Sequence, residues 1–228
     1  MIAVPFWPIQ QNPSVHGKRR RVAVRRGLSA CFYQLVCGGS LYCVGKKEKG
    51  KDMDTVSDMI LVDLDDREIG QGEKLEVHRR GQLHRAFSVF LFDKDRLLIQ
   101  KRADGKYHSA GLWANTCCSH PRTGQTLTEA ADKRLWLECG IANVPLKEAG
   151  SFVYRAVFSD GLIEYEVDHV FVGAYAGSFK ANPEEISELR YVPMDLLKQD
   201  MLTSPEHYAP WFFTALGIAE AFWKRCAG

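Results

Sequence analysis

The sequence lacks any apolar run that approaches the ~20 residues a helix needs to cross a bilayer. It also lacks a Cys-x-x-Cys pair, and its seven cysteines are an odd number. Such cysteine usage favours a reduced compartment over a disulfide framework. Internal repeats and low-complexity tracts are absent as well. We therefore expect a soluble, cytoplasmic protein with no membrane partner and no evident obligate protein partner.

Basic charge is concentrated near the N-terminus. Residues 1–51 hold ten Lys or Arg and one acidic residue, whereas the remainder holds twenty basic and twenty-seven acidic residues. The net charge of +2 therefore comes from the first segment. An acidic body argues against nucleic acid as a partner.

Residues 1–55 differ in composition from the rest, with basic clusters at 18–21 and 25–26 and scattered Gly and Pro. A targeting peptide or a nucleic-acid-binding arm would have such a composition. We favour a dispensable and disordered basic extension, which includes the possibility that translation starts at Met53 or Met59. The predicted organisation is therefore an extension over 1–55 and one domain over 56–228.

From Met59 onward the pattern becomes globular, and the length suffices for one well-cored domain. Strands are predicted over 59–62, 86–92, 97–100, 152–158 and 163–175. Helices are predicted over 128–137, 194–199 and 210–225, the first capped by Thr126 or Thr128 and followed by Gly140. Strands interleaved with helices predict a mixed α/β (α+β) domain.

Two glutamates, Glu164 and Glu166, stand two residues apart in a predicted strand, so their side chains point to the same face. Two carboxylates at such a short distance repel each other unless a cation or a proton lies between them. A solvated face would need no cation, but Val167, Val170 and Phe171 indicate that this strand is buried. The pair leaves both interpretations open, a metal site and an outer face.

Histidines offer partners for these carboxylates. Three lie in or beside predicted strands: His78, His84 and His120. Imidazole with carboxylate suits Mn, Fe, Zn or a similar divalent ion, and the spacing permits convergence without requiring it. His169 points to the face opposite the glutamates, so we interpret it as a core residue. The remaining histidines are interpreted as structural or exposed: His16, His108 and His207.

Two adjacent cysteines, Cys117 and Cys118, lie shortly before Pro121. The proline favours an extended backbone at the residue before it, His120. In an extended segment Cys118 and His120 share a face, while Cys117 points away. A thiol beside a metal-bound imidazole would lie in an electropositive environment. The alternative is that both cysteines are small buried hydrophobic residues.

The predicted helix after Thr126 ends in Glu138 followed by Cys-Gly-Ile, which resembles the end of a Nudix box. Arg134 and Leu137 stand where that box has glutamates. A Nudix hydrolase needs this carboxylate cluster to hold the metals that activate water. We therefore expect hydrolysis to be impaired.

From about Lys74 to Trp211 the chain resembles one family, the type 1 isopentenyl-diphosphate isomerases. The ordered motifs are a lysine and a histidine four apart at 74 and 78, and the segments 83–88, 100–103, 111–115, 117–121, 154–156, 164–166 and 210–211. So many motifs in order make the resemblance far more specific than the degenerate Nudix helix alone. It does not explain residues 1–55.

The resemblance implies a Nudix-like sandwich of mixed β-sheets flanked by helices. It also implies interconversion of isopentenyl and dimethylallyl diphosphates in isoprenoid biosynthesis. A divalent metal, Mn²⁺ with Zn²⁺ or Mg²⁺ as alternatives, would bind five implied ligands: His78, His84, His120, Glu164 and Glu166. A Mg²⁺ joined to the substrate diphosphate would be held by Glu138. The implied catalytic residues are Cys118, Glu166 and Tyr154, and the implied substrate-binding residues are Lys74, Arg102, Lys106 and Trp211.

The isomerisation reaction itself requires residues of these types. Moving a double bond requires protonation at one end of an alkene and loss of a proton from the adjacent carbon, through a tertiary carbocation. Cys118 and Glu166 can supply the acid and the base, and Trp211 can offer its ring face to the cation. Trp211 could equally be a core aromatic at the start of a helix.

The loop at Ser159-Asp160-Gly161 provides a geometric test of this site. A two-residue hairpin turn would put Tyr154 on the face opposite Glu164 and Glu166. A three-residue loop with a left-handed Gly161 would put all three on the same face. The proposed site therefore predicts the longer loop.

Two rival functions remain at this stage. A Nudix pyrophosphohydrolase would share the fold but would need the missing helical carboxylates. A catalytically silent metal- or RNA-binding protein would make no use of Cys118 and Glu166.

Overall fold

The computed structural model describes residues 33–37, 40–44, 58–106 and 108–227. The chain divides into two compact units, Met1–Lys51 and Asp52–Gly228. In the first unit, β1 (Tyr33–Cys37) and β2 (Ser40–Val44) pair as an antiparallel hairpin. The rest of the predicted extension lies outside the described residues, so its limits and its disorder stay predictions.

The described part of the second unit contains nine strands in one sheet and four α-helices. The strands are β3 (Asp58–Val62), β4 (Glu68–Glu73), β5 (His84–Asp93), β6 (Arg96–Arg102), β7 (Trp113–Ala114), β8 (Cys117–Ser119), β9 (Lys147–Val157), β10 (Ile163–Ala174) and β11 (Ile186–Pro193). The helices are α1 (Lys74–Arg80), α2 (Leu127–Cys139), α3 (Met194–Thr203) and α4 (Pro210–Ala227). None of these helices is both long and apolar enough to span a membrane.

The sheet is mixed, with the order β11-β6-β5-β10-β9 along its main path. Strand β5 pairs in parallel with β10 and antiparallel with β6 and β8. This arrangement confirms the predicted mixed α/β class. All the predicted strands and helices are present, whereas four strands and one helix of this unit were not predicted: β4, β7, β8, β11 and α1.

Strand β5 lies at the centre because its side chains are buried on both faces. Phe90 and Phe92 face one core cluster, which includes Phe212 of α4. Phe87 faces the other cluster, which includes Leu135 of α2. Since side chains alternate along a strand, one apolar run supplies both clusters, and helices cover the two faces.

Helix α2 has strong local signals at both ends. Thr126 caps its N-terminus and forms a capping box with Glu129, in which each side chain accepts from the other residue's backbone N–H. Gly140 ends the helix in the left-handed conformation with φ 66°. Of the two predicted caps, Thr126 is therefore the correct one.

The β9–β10 connection is the longer loop that the site required. The backbone N–H of Phe158 donates to the carbonyl of Leu162 at 2.9 Å, and Gly161 has φ +84°. The three residues between Phe158 and Leu162 form the loop, and Glu166 pairs directly with Tyr154 across the strands. Glu166 and Tyr154 therefore share a face, as predicted.

Candidate active site

A cavity opens on the face of the sheet that carries these glutamates. Most of the site residues predicted from the sequence line it: Lys74, Arg102, Lys106, Cys118, His120, Tyr154, Glu164, Glu166 and Trp211. His78 and His84 are fully buried against its wall, in ring contact with His120. Glu138 is not among the residues that line the cavity.

Four donors converge at one end of the cavity: His78, His84, His120 and Glu166. Their ligand atoms all lie within 4.8 Å of one another. His84 begins β5 and is the register partner of Glu166 on β10, while His120 directly follows β8. His78 arrives on α1, so the expectation that it lies in or beside a strand was wrong.

The backbone orients two of these rings. His78 Nδ1 donates to the Lys74 carbonyl at 2.6 Å, and His84 Nδ1 donates to the Gln82 carbonyl at 2.8 Å. Each contact places the ring proton on Nδ1, and carbonyl groups commonly orient metal-binding histidines in this way. The donor set therefore fits a divalent metal ion.

The protonation states agree with that fit. Burial lowers the pKa of His78, and it lowers the pKa of His120 to about 3. Burial alone would raise the pKa of Glu166, but its contacts with the imidazoles of His120 and His84 bring this pKa well below its usual value. The 2.8 Å contact between His120 Nε2 and Glu166 Oε1 thus joins a neutral imidazole to a carboxylate. Neutral imidazole and ionised carboxylate are the forms that bind metals.

Glu164 lies beside this group rather than in it. Its Oε1 is 2.8 Å from His108 Nε2, and together with His78 these residues form a second potential metal-binding group. The five predicted ligands are therefore divided between two groups that share His78. His108 is not exposed, because its loop carries the ring into the cavity, where it is only 8% exposed. The alternative interpretation, a structural histidine, stays a prediction.

Tyr154 connects the two glutamates. Its hydroxyl lies 2.6 Å from Glu166 Oε2 and 2.9 Å from Glu164 Oε2. One hydroxyl has one proton to donate, so it can satisfy only one carboxylate at a time. Burial, with the two carboxylates, raises the pKa of Tyr154 well above its usual value.

Cys118 faces the cavity and Cys117 faces the core, which confirms the predicted alternation. Cys118 pairs with Ser88 across β5 and β8. Its Sγ lies 3.7 Å from a guanidinium nitrogen of Arg102. Burial raises the pKa of the Cys118 thiol to about 12, although the Arg102 charge acts in the opposite direction.

The basic residues line the same cavity. Arg102 lies over the ring of Trp211, 5.4 Å from its centroid, and Lys106 contacts the carboxylate of Glu185. Burial lowers the pKa of Lys106. Trp211 donates from Nε1 to Asn115 Oδ1 at 3.0 Å and is 3% exposed. It is therefore both a core aromatic at the start of α4 and a wall of the cavity.

The NUDIX domain model matches residues 82–212. Isopentenyl-diphosphate Delta-isomerase 2 of Photorhabdus laumondii is 47% identical over 155 residues, which cover 68% of this chain and 87% of that protein. Isopentenyl-diphosphate Delta-isomerase 1 of Aromatoleum aromaticum is 51% identical over 154 residues, covering 67% and 86%. The chain belongs to the type 1 isopentenyl-diphosphate isomerase family of the NUDIX superfamily.

Solved structures support the fold of this family. A Deinococcus radiodurans protein superposes with a TM-score of 0.54 at 16% identity, covering 64% of this chain and 90% of its own. The MutT protein of Methanosarcina mazei gives 0.50 at 19% identity, covering 64% and 96%. At these identities the likeness concerns the fold alone, and it confirms the Nudix-like architecture.

The helix that characterises the superfamily is altered in this member. Arg134 of α2 donates from Nε to Glu138 Oε1 at 3.0 Å, and its guanidinium also reaches Glu185 at 3.5 Å. Glu138 is 3% exposed. The one retained carboxylate thus lies in an ion pair, and its predicted role in holding Mg²⁺ stays a prediction.

Asp168 is a cavity residue that sequence reasoning missed, as His108 is. Asp168 lies on the same face of β10 as the glutamates and accepts from Ser88 Oγ at 2.8 Å. Burial raises the pKa of Asp168 well above its usual value. The alternation that placed Glu164 and Glu166 on one face also applies to Asp168, so a signal existed. His108 lies in a loop without periodicity, where no such signal exists.

His169 lies on the opposite face, as predicted, but its contacts are polar. Its ring nitrogens lie 2.7 Å from Glu148 Oε1 and 2.9 Å from Asp66 Oδ2. The predicted face is therefore correct, but His169 does not pack as an apolar core residue. Its ring nitrogens contact two carboxylates instead.

Proposed function

We propose that this protein interconverts isopentenyl and dimethylallyl diphosphates, a step of isoprenoid biosynthesis. One observation carries the proposal: Cys118 and Glu166 line a single buried cavity with Tyr154 and with cationic side chains. The names of the relatives agree with this activity. The expected partner is a small isoprenoid diphosphate, and the cytoplasmic location expected from the cysteine pattern remains a prediction.

The reaction moves two protons and no net electrons. A proton joins the terminal carbon of the alkene through the π electrons, which leaves a tertiary cation at the next carbon. A second proton then leaves the adjacent CH₂, and its C–H electron pair becomes the new double bond. The site must therefore offer one proton donor and one acceptor and must tolerate a cation between them.

Cys118 and Glu166 meet these needs. The raised pKa of Cys118 keeps a proton on its thiol, and the lowered pKa of Glu166 leaves a carboxylate. Tyr154 holds that carboxylate through its hydroxyl, 2.6 Å away. The face of Trp211 lies in the cavity wall, where an aromatic ring stabilises positive charge.

Lys74, Arg102 and Lys106 provide positive charge for the diphosphate. Phosphate groups bind such residues through charge-assisted hydrogen bonds. We propose that these three residues anchor the substrate and that Mg²⁺ accompanies the diphosphate at Glu138. For that, Glu138 must exchange part of its contact with Arg134.

In this proposal a divalent metal, Mn²⁺ with Zn²⁺ or Mg²⁺ as alternatives, would be held by His78, His84, His120, Glu164 and Glu166. When bound, the ion supplies a fixed positive charge that orients Glu166 and shifts its proton affinity. The chain itself presets the donors, since backbone carbonyls orient His78 and His84.

The hydrolase alternative is less well supported by the contacts of α2. Metal-assisted hydrolysis requires several carboxylates to activate water, and here the position of one is occupied by Arg134, which binds Glu138 instead. A purely binding role would not require both a thiol and a carboxylate, Cys118 and Glu166, in the same buried cavity.

The first experiment incubates the protein with labelled isopentenyl diphosphate and Mg²⁺ and measures the acid-labile allylic product. We expect turnover by the wild type and its loss in Cys118→Ala and Glu166→Gln. Cys117→Ala is the matched control, because it removes the neighbouring thiol that faces the core. It should keep the activity even if it costs some stability.

Other outcomes would be equally informative. Release of phosphate without allylic product would move the protein to the hydrolases. Absence of turnover with Mg²⁺, Mn²⁺ and Zn²⁺ would favour the binding role. Equal activity in Cys118→Ala and the wild type would remove the thiol from the mechanism.

A further inference from the structure

Asp168 is a third carboxyl group on the cavity face of β10, two residues beyond Glu166. It lines the cavity and is 1% exposed. Side chains alternate along a strand, so Glu164, Glu166 and Asp168 follow one another on this face at intervals of about 7 Å. Asp168 belongs to neither of the potential metal-binding groups found among the described residues. Metal ligation therefore does not account for its place in the cavity.

The oxygens of these three carboxyl groups differ in their partners. Both oxygens of Glu164 and both oxygens of Glu166 lie 2.6–2.9 Å from a hydroxyl oxygen or an imidazole nitrogen. In Asp168, Oδ2 accepts from Ser88 Oγ at 2.8 Å, whereas Oδ1 is buried and has no hydrogen-bond partner among the described residues. A buried polar atom without a partner is destabilising, and native proteins contain few of them. Oδ1 is therefore the carboxyl oxygen of this face that a ligand in the cavity can use.

Asp168 lies between the two proposed proton-handling residues. Glu166 precedes it on the same face of β10. On the other side its hydrogen-bond donor, Ser88, is the register partner of Cys118 across β5 and β8, and side chains opposite each other have Cβ atoms about 5 Å apart. Its own register partner on β5 is Ala86, whose short side chain occupies little of the cavity. A hydrocarbon group that reaches both Cys118 and Glu166 therefore lies against Asp168.

The carboxyl group of Asp168 is suited to face positive charge. An ionised carboxyl group presents acceptor oxygens, and a neutral one keeps acceptor capacity, so Oδ1 can face a cation in either form. The Ser88 hydroxyl holds the group through Oδ2 before any ligand binds. Dipoles that are oriented in advance in a buried site stabilise a charge that forms during a reaction without having to reorganise.

We propose that Asp168 is a further catalytic residue, whose Oδ1 stabilises the tertiary carbocation between Cys118 and Glu166. This role rests on the proposed isomerisation, because that reaction is what forms a cation in the cavity. Asp168 forms no covalent bond and transfers no proton in this role, since Cys118 and Glu166 carry out both proton transfers. The cation thus meets the ring face of Trp211 and the carboxyl oxygen of Asp168.

The test compares two ligands that share a skeleton and differ in charge. In dimethylaminoethyl diphosphate a protonated nitrogen replaces the carbon that becomes the cation, and isopentyl diphosphate is its neutral counterpart. Calorimetry with the full-length protein and Mg²⁺ measures the dissociation constants of both ligands. A cavity that stabilises the cation should bind the ammonium ligand more tightly, because this ligand resembles the transition state.

Three variants change the carboxyl group. Asp168→Leu removes both oxygens at nearly constant shape, and Asp168→Ala removes them without crowding the cavity. Asp168→Asn is the conservative variant, because its amide keeps one oxygen. The matched control is Asp195→Leu, at an exposed aspartate of α3. Thermal unfolding establishes that each variant is folded, and if Asp168→Leu is not, Asp168→Ala decides the test.

We expect the wild type to bind the ammonium ligand at least about tenfold more tightly than the neutral ligand. Asp168→Leu and Asp168→Ala should lose about tenfold or more of the affinity for the ammonium ligand, while their affinity for the neutral ligand should change by less than about twofold. The affinity of Asp168→Asn for the ammonium ligand should lie between those of these variants and the wild type. Asp195→Leu should bind both ligands as the wild type does.

Three results would overturn the proposal. Wild-type affinity for the ammonium ligand in Asp168→Ala would show that Oδ1 does not act on the cation. Equal losses for both ligands would reduce Asp168 to a structural residue of the cavity. Equal affinity of the wild type for both ligands would show that the cavity does not recognise positive charge. These constants require no turnover, so the role of Asp168 can fail while the isomerase assay still shows allylic product, and the two failures are distinguishable.

Discussion

Tyr154 is the side chain on which the geometry of both cavity glutamates depends. Its hydroxyl is within hydrogen-bonding distance of Glu164 and Glu166, while its ring lies 6.3 Å from that of Trp211. A single small group thus touches the proposed base, a proposed metal ligand and the proposed cation-binding wall. We expect it to affect the chemical step more than substrate binding.

Tyr154→Phe removes only this hydroxyl. A hydrogen bond to a charged group contributes about 1.5–3 kcal/mol, so we expect kcat to fall by about 10- to 150-fold with KM little changed. Steady-state kinetics on isopentenyl diphosphate measure both. Tyr165→Phe serves as the control, because Tyr165 points to the other face of β10. Equal kcat values for the two variants would contradict the role given to the Tyr154 hydroxyl.

At the level of single elements, the β9–β10 loop sets which side chains share the cavity. Gly161 has φ +84°, and a Cβ added there would meet no atom within 4 Å. The cost of a side chain at this position is therefore confined to the backbone. Gly161→Ala should lower the free energy of unfolding by about 1 kcal/mol, because the left-handed region disfavours residues with a Cβ.

Gly161→Asn tests the same cause, since asparagine tolerates the left-handed conformation better than alanine does. Urea unfolding should rank the stabilities as wild type, then Asn, then Ala. If alanine cost nothing, the left-handed conformation would not be what holds this loop.

The contact between α3 and α4 predicts a pH dependence. Glu220 Oε1 lies 2.8 Å from the amino groups of both Lys198 and Lys224. Partial burial raises the pKa of Glu220, but the hydrogen bonds from the two lysines outweigh it and leave this pKa below the ordinary 4.5. A lowered folded-state pKa stabilises the fold above the unfolded pKa, and that stability is lost as the pH falls through the folded value.

Glu220→Gln should therefore lower the free energy of unfolding by up to about 1 kcal/mol at pH 7, as partly exposed ion pairs do. The difference from wild type should shrink below pH 4.5 and vanish at lower pH. Denaturant unfolding at several pH values measures it. Glu184→Gln, at an exposed glutamate, should show no comparable trend. A difference that grows on acidification would reverse the assignment.

For the molecule as a whole, the relation between its two units can be tested by truncation. The match to the NUDIX domain lies within the second unit, over residues 82–212. A chain without residues 1–51 should therefore keep the wild-type kcat/KM and melting temperature. A large loss of either would show that the first unit supports the domain. N-terminal sequencing of the native protein would show whether translation starts before Met53.

Local patterns in the sequence were enough for much of the fold. The strand at 86–92 and the capping box of α2 could be predicted because their signals lie within a few residues. Helix α1 escaped because seven residues are too few to form a stable helix alone. Strand β4 escaped because its polar, glycine-containing sequence becomes a strand only by pairing with β3.

The same distinction holds for the site. The sequence by itself determined that Glu164 and Glu166 share a face and that Cys118 and Cys117 do not, because alternation along a strand is a local property. Only the tertiary structure decided that His78, on a helix, and His108, in a loop, meet these glutamates. Such convergence depends on the pairing of strands far apart in sequence, as in the parallel register of His84 with Glu166. No short-range pattern encodes that register, since many distant contacts set it together.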